Sequence, residues 1–260
     1  MNYARTSIAP AKARELLKEL NILEPDEIEI ELIAAFKNAP VRYELLKGMD
    51  GRIVREGNTA IITVNSAINY EGQKRFVIAH ELGHFFLHPN TRQVESVNQE
   101  QTNNWSEKQE TEEYEANIFA AELLMPSAMF SEKIKKETPS FDLIESLQKD
   151  FRTTLTATAV QYVLNTKEEC AIVSSSKRQR LWYIFSPGFS FRMQTDPYIH
   201  GLSCAAEVGP SKRTSRSSKI EADYWLEGYR GQHKAYITED ARYFPLLNRC
   251  LSLLWIHDAI

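Results

Sequence analysis

Two histidines stand four apart in RFVIAHELGHFFLHP, residues 75 to 89, with a glutamate directly after the first. In an α-helix, residues i and i+4 lie one above the other on one face, so His80 and His84 aim two imidazoles at one point. H-E-x-x-H on a helix is a two-ligand zinc half-site with the intervening Glu81 as general base. Zn²⁺ takes nitrogen, sulfur and carboxylate ligands at about 2 Å, and a catalytic site uses three protein ligands and keeps one position open. It brings the pKa of a water there down to about 7, and a carboxylate within hydrogen-bond reach then takes the proton. Alone, the pentapeptide is a weak signal, because buried histidines are commonly hydrogen-bonded core residues. Its surroundings strengthen it. Phe76, Val77, Ile78, Leu82, Phe85, Phe86 and Leu87 make the segment apolar. Two imidazoles and a carboxylate buried there without compensation would cost kilocalories, and a metal ion supplies that compensation. Gly83 lowers helix propensity by about 1 kcal/mol against Ala, and it lets another backbone or helix pack close.

Leu87 and Asn90 stand where a Gly and a His would extend the pattern to a third histidine ligand. A carboxylate from a later helix is the other solution, and EEYEANIFAAELLM offers Glu112, Glu113 and Glu115. Glu113 and Asn117 are i and i+4, so Glu113 can bind the ion while Asn117 holds another ligand from behind. Glu113 is favoured over its neighbours. Glu115 points roughly opposite and reads as solvated, and the acidic run EKQETEE also suits the positive end of a helix dipole. His88, one turn beyond His84, competes as a ligand, or else caps the helix or orients a neighbouring group.

These residues need elements to hold them. Residues 10 to 20 read as a helix with Pro10 in its first turn and Leu16, Leu17 and Leu20 on one face. Pro25 opens a second helix to about Phe36. Val41 to Lys47 reads as a short strand, and GRIVREGNTAIITVN as a hairpin around EGN whose second arm is Ala60 to Asn65. Glu71 to His88 has helical periodicity and stops at Pro89. Residues 90 to 105 are polar and read as a loop, with a lid as one possible use. Ser106 with Gln109 makes a capping box for the helix that ends at Pro126. Further helices are expected over 127 to 137, 141 to 149 and 154 to 165. Beyond Thr166 the runs CAIVSS, LWYIFS, SCAAEV, ADYWL and KAYIT read as short strands, and PLLNRCLSLLWI as a strand or a helix. The expectation is an α+β protein: a zincin-like domain over 1–165, carrying a small mixed sheet and the H-E-x-x-H helix, and a β-rich domain over 166–260.

The 260 residues are 43% hydrophobic and 25% charged, as in ordinary globular domains. A net charge of −4 gives no global pull toward nucleic acid or anionic lipid. No apolar run of membrane-spanning length is present, and the N-terminus lacks a secretory layout. Cys170, Cys204 and Cys250 form no C-x-x-C pair, which suits a reduced, cytoplasmic protein. GPSKRTSRSSK gathers Lys212, Arg213, Arg216 and Lys219. Without interleaved aromatics it reads as a solvated loop rather than a nucleic-acid surface. Trp182, Tyr183, Trp225 and Trp255 read as core or interface residues.

The paired segments RFVIAHELGHFFLH and EEYEANIFAAELLMP resemble the ImmA/IrrE family of metallo-endopeptidases, peptidase M78-type, closely over residues 50 to 130. NTAIITVN upstream and FRTTLTATAVQYVLNTKEECAIVSS downstream fit as well. The resemblance implies a gluzincin-like fold with one ion, Zn²⁺ or another divalent metal such as Mn²⁺, on His80, His84 and Glu113, and with Glu81 catalytic. It implies a protein substrate: a helix-turn-helix transcriptional repressor or antitoxin-like partner encoded nearby, cut in a stress response or to relieve repression. Two departures stand out. No helix-turn-helix is evident at the N-terminus, and residues 166–260 carry no motif that names a family, so a sensory or substrate-recognition role there is open.

On this reading the strand Ala60, Ile61, Ile62, Thr63 and Val64 is the exposed sheet edge beside the active-site helix, where an extended substrate pairs by β-augmentation. The alternative is plain core pairing. An oxyanion donor is expected, with Tyr114, Tyr229 and His233 as candidates. The competing function is a non-catalytic anti-repressor that titrates a regulator with the same fold; the intact Glu81 favours the enzyme.

Overall fold

A computed structural model describes residues 8–89, 94–97, 105, 112–135, 137–227 and 235–256. The chain divides into two compact units, Met1–Lys133 with Glu145–Gln161, and Ile134–Ile144 with Tyr162–Ile260.

Helix α1 (Ile8–Glu19) buries Ala9, Ala13, Leu16 and Leu17, the i, i+4, i+7, i+8 stripe of a surface helix. The helix expected from Pro25 to Phe36 is broken in two: a 3-10 turn at Pro25–Glu27, then α2 (Ile30–Phe36). Ile28 and Glu29 leave helical backbone. Two contacts favour the break, one local and one remote in sequence. The Glu27 carboxylate accepts from the Leu23 and Glu24 N–H groups at 2.7 and 3.0 Å, and buried Arg75 donates to the Ile28 carbonyl at 2.8 Å.

Strands β1 (Val41–Glu44), β2 (Gly51–Glu56) and β3 (Thr59–Asn65) follow. β2 and β3 form the expected hairpin, paired from Gly51↔Val64 to Glu56↔Thr59. Its two-residue turn has Gly57 at φ 59°, a left-handed conformation that suits the twist of the arms. The sheet order is β1-β3-β2-β4, with β4 being Val94–Val97.

Two expectations are corrected here. Ala60, Ile61, Ile62, Thr63 and Val64 do not form a sheet edge. β3 is hydrogen-bonded on both sides, to β2 antiparallel and to β1 in parallel with Val41↔Ile62 through Glu44↔Asn65. Its backbone groups are occupied, so no substrate strand can add to it. The hairpin signal is local, whereas the parallel partner arrives through a longer connection that local pattern does not show. Within the expected loop 90 to 105, Val94–Val97 is a strand pairing antiparallel with β2. The rest of that loop except Trp105, and the Ser106–Gln109 cap, lie outside the described residues.

α3 (Glu71–Leu87) carries HELGH at its centre and is buried from Arg75 through His84. α4 (Glu112–Leu124) is buried from Tyr114 to Leu124, apart from half-buried Glu115. α5 (Ser127–Ile134), α6 (Phe141–Phe151) and α7 (Leu155–Asn165) match the expected helices. In the first unit, Phe76 packs on Trp105 and Phe130 on Phe151, with ring centroids 6.0 and 5.3 Å apart.

The second unit is built on an antiparallel sheet ordered β6-β5-β11-β10-β8. Its strands are β5 (Cys170–Ser176), β6 (Gln179–Phe185), β8 (Ser215–Glu221), β10 (Tyr236–Phe244) and β11 (Arg249–Trp255). β7 (Arg192–Met193) and β9 (Leu226–Glu227) form a separate pair. Ala171, Val173, Trp225, Leu226, Ile237 and Leu254 lie in one core. SCAAEV is not a strand: Cys204–Glu207 is a short helix, α8, capped by Ser203. ADYWL is mostly a 3-10 turn, Ala222–Tyr224. Arg216 and Lys219 of the supposed loop lie on β8, an edge strand in which only Ile220 is buried. An exposed, charged edge carries no apolar alternation to reveal it. The three cysteines are buried and free. Burial holds all of them as thiols, raising Cys204 and Cys250 to about 12.

Candidate metal centre

The centre is built by two helices of the first unit that approach closely because Gly83 of α3 faces Ala116 of α4. A Cβ on Gly83 would stand 2.9 Å from the Ala116 Cα, so glycine is what the helix spacing permits. Phe86 and Phe119 pack beside it with centroids 5.8 Å apart. Arg55 of β2 pins the last turn of α3, donating to the Phe85 carbonyl and lying 4.6 Å over the Phe85 ring. Carbonyls at a helix end lack intrahelical donors, and this guanidinium supplies one.

With the helices so placed, the expected residues come together in part. His80 Nε2 lies 3.0 Å from His84 Nε2. Glu113 Oε2 is 3.4 Å from the first and Oε1 3.6 Å from the second. One donor atom from each of the three falls within 4.8 Å of the others. Asn117 Oδ1 sits 2.9 Å from His80 Nδ1, so that nitrogen carries the proton and donates, leaving the lone pair of Nε2 facing inward.

This donor set fits a metal. Ligand atoms about 2 Å from a common tetrahedral ion are about 3.3 Å apart, and the three measured separations straddle that value. Two inward imidazole nitrogens beside a carboxylate form a nitrogen–oxygen set for a borderline cation such as Zn²⁺. Burial is the main influence on His80 and lowers its pKa; Glu113, which pulls the other way, is outweighed. A neutral imidazole is the ligating form.

Glu81 is fully buried. Its Oε1 lies where a side chain on Gly51 of β2 would come within 3.1 Å, so that glycine leaves room for the carboxylate. Glu115 corrects an expectation. It is not a solvated residue on the far face: its Oε2 is 3.0 Å from His88 Nε2, and His88 Nδ1 is 3.1 Å from His84 Nδ1. Helical angle fixes where Cβ points but not how far a glutamate reaches, and His88 lies just past the last turn of α3. Sequence reasoning missed this link, along with Gly51 and Arg55. The His84–His88 spacing was visible; the carboxylate from the other helix was not. Tyr114 is almost wholly buried. Tyr229 and His233 lie outside the described residues.

Residues 37–161 match the family model described as Peptidase_M78, IrrE N-terminal-like domain, which takes in both helices of the centre. This part of the chain is an IrrE N-terminal-like domain of the ImmA/IrrE, M78 peptidase family. That membership supports a zincin-like fold and a metallopeptidase-type function for the IrrE-like domain. No curated protein matches the chain at a significant level. Among solved structures, the chain is similar in fold to a Mycobacterium tuberculosis transcriptional regulator. The TM-score is 0.60 at 14% identity, covering 95% of this chain and 76% of that one. No helix among the described residues is long and apolar enough to cross a membrane.

Proposed function

We propose that the protein is a zinc-dependent endopeptidase that cuts a helix-turn-helix transcriptional repressor or antitoxin-like partner. The observation that carries this reading is the convergence of His80 Nε2 and His84 Nε2, from the helix that also bears Glu81, with the Glu113 carboxylate of α4. His80, His84 and Glu113 would hold the ion, with Mn²⁺ as the other divalent candidate. A bound ion would polarise the scissile carbonyl and acidify water. Glu81 takes the proton of the attacking water as the C–O bond forms, and delivers it to the amine nitrogen as the C–N bond breaks. Asn117 keeps His80 in the tautomer that points a lone pair inward.

A regulatory protein as substrate is supported by the family resemblance, and a solved neighbour that is itself a transcriptional regulator fits such a role. The same reading places the protein in the cytoplasm with its partner, where its reduced thiols suit the redox poise. The test is incubation with the helix-turn-helix protein encoded beside it, comparing wild type with Glu81→Gln. The expected outcome is cleavage by wild type alone. Cleavage that persists in the variant overturns the catalytic assignment, and release of the partner uncut by both supports titration.

A further inference from the structure

We propose that His88 and Glu115 are positioning residues of the metal centre, which fix the tautomer and ring orientation of His84 through a carboxylate–imidazole–imidazole chain. The inference rests on the metallopeptidase reading of the same centre.

The chain is set by what each atom can do. A carboxylate only accepts. Glu115 Oε2 stands 3.0 Å from His88 Nε2, so that nitrogen carries the hydrogen. An imidazole bearing one proton then turns a lone pair at Nδ1, which is the atom 3.1 Å from His84 Nδ1. His84 Nδ1 must therefore donate, and its Nε2 is left with a lone pair. That lone pair faces His80 Nε2 and Glu113, where a cation is needed. Reversing any link in the chain would put a hydrogen on His84 Nε2 and close the centre to metal.

The geometry is held at each step. The side chain of His88 is 6% exposed, and its backbone N–H donates to the His84 carbonyl at 3.1 Å. It ends α3 with φ −120° and ψ 61°, which lets the ring lie beside that of His84, 5.2 Å away between centroids. Glu115 comes from the other helix, so the chain also ties α4 to the end of α3. The two histidine ligands are thus supported differently. His80 rests on a neutral amide, Asn117, while His84 rests on an imidazole whose far side meets a carboxylate. Carboxylate–imidazole support of this kind raises ligand basicity as well as fixing orientation.

The bland alternative is that His88 merely fills the end of the helix. It predicts a change in stability and none in metal binding. The test uses the full chain: wild type, His88→Leu, His88→Gln and Glu115→Ala. Zn²⁺ affinity is read by chelator competition, the visible spectrum with Co²⁺, and melting in excess chelator. His88→Leu and Glu115→Ala should each weaken Zn²⁺ binding by about 10–100-fold and alter the Co²⁺ bands. His88→Gln, whose amide oxygen can accept from His84 Nδ1 as Asn117 does from His80, should recover most of the affinity. Partly exposed Glu115 keeps the test sound if His88→Leu fails to fold. Wild-type affinity in Glu115→Ala, or a His88→Gln variant no better than His88→Leu, overturns the proposal. A wild-type chain that takes up no divalent ion overturns the metal reading itself, and the inference with it.

Discussion

Gly83 lies against the backbone of Ala116, so that a methyl group added to it would meet the Ala116 Cα at 2.9 Å and its carbonyl oxygen at 3.1 Å. This contact sets the spacing of the two helices that carry His80, His84 and Glu113. Gly83→Ala gains about 1 kcal/mol in helix propensity, but overpacking against a backbone that cannot rotate away costs about 1–3 kcal/mol. The expected result is a net loss of up to about 2 kcal/mol, which calorimetry reads as a fall of up to roughly 8 °C in Tm. Zn²⁺ titration should show weaker uptake, because Glu113 moves away from the imidazoles. A variant more stable than wild type would contradict the close packing.

The metal-free protein should lose stability on mild acidification. Burial lowers the His80 pKa in the folded state, whereas the unfolded residue titrates near 6.5. Below that pH the unfolded chain binds more protons than the folded one, so stability falls as pH falls. The contribution is complete above the unfolded value and lost toward the lowered folded one. Bound metal competes with the same protons, so affinity declines in the same direction. Melting in chelator between pH 8 and 5 checks this, and His80→Gln should flatten that part of the profile.

Much of the centre was legible because its signals are periodic. His80 and His84 share a face at spacing four, and Glu113 and Asn117 do so on the second helix. The apolar run around the histidines marked a buried helix, and the Gly57 turn marked the hairpin. What was hidden depends on contacts remote in sequence. The parallel pairing of β1 moved Ala60–Val64 from the edge to the interior of the sheet. The Glu115–His88 link needed the reach of two side chains across a helix pair. β8 escaped notice because a solvated edge strand with one buried residue has no alternation to read. Cys204–Glu207 looked like a strand, yet its Cys204 and Ala205 N–H groups are met by Glu239, a partner remote in sequence that no local propensity predicts, while the Ser203 cap was a local signal passed over.

Glu239 is the principal polar anchor of that short helix. Its carboxylate accepts from the Cys204 and Ala205 N–H groups at 2.7 and 2.9 Å and from the Ser252 hydroxyl at 3.0 Å. Burial raises its pKa, and these donors work against that rise. Glu239→Ala leaves the buried donors unmet, at about 1–3 kcal/mol for each that finds no water. Glu239→Gln keeps an accepting oxygen and should be milder. Limited proteolysis and thermal melting of the full chain should rank wild type, Gln and Ala in that order. Equal melting of the Ala variant and wild type would remove this role.

Gly51 bears on chemistry as well as stability. It is the first residue of β2, and a Cβ there would collide with Val77 Cγ1 and come within 3.1 Å of Glu81 Oε1. Val77 is β-branched and fully buried in α3, so it has little rotamer freedom with which to yield. The added methyl therefore overpacks this point at a cost of about 1–3 kcal/mol, and the strand and helix that separate there carry the Glu81 carboxylate out of place. His80, His84 and Glu113 do not touch Gly51, so metal uptake should be unchanged in Gly51→Ala. Cleavage of the partner should fall by up to about 100-fold, the scale of loss when a catalytic group moves by about 1 Å. The decisive comparison is the double variant with Glu81→Gln. If Gly51 acts through that carboxylate, the two losses are not additive and the double variant is no slower than Glu81→Gln alone. Losses that multiply would mean that Gly51 serves the reaction by some other contact.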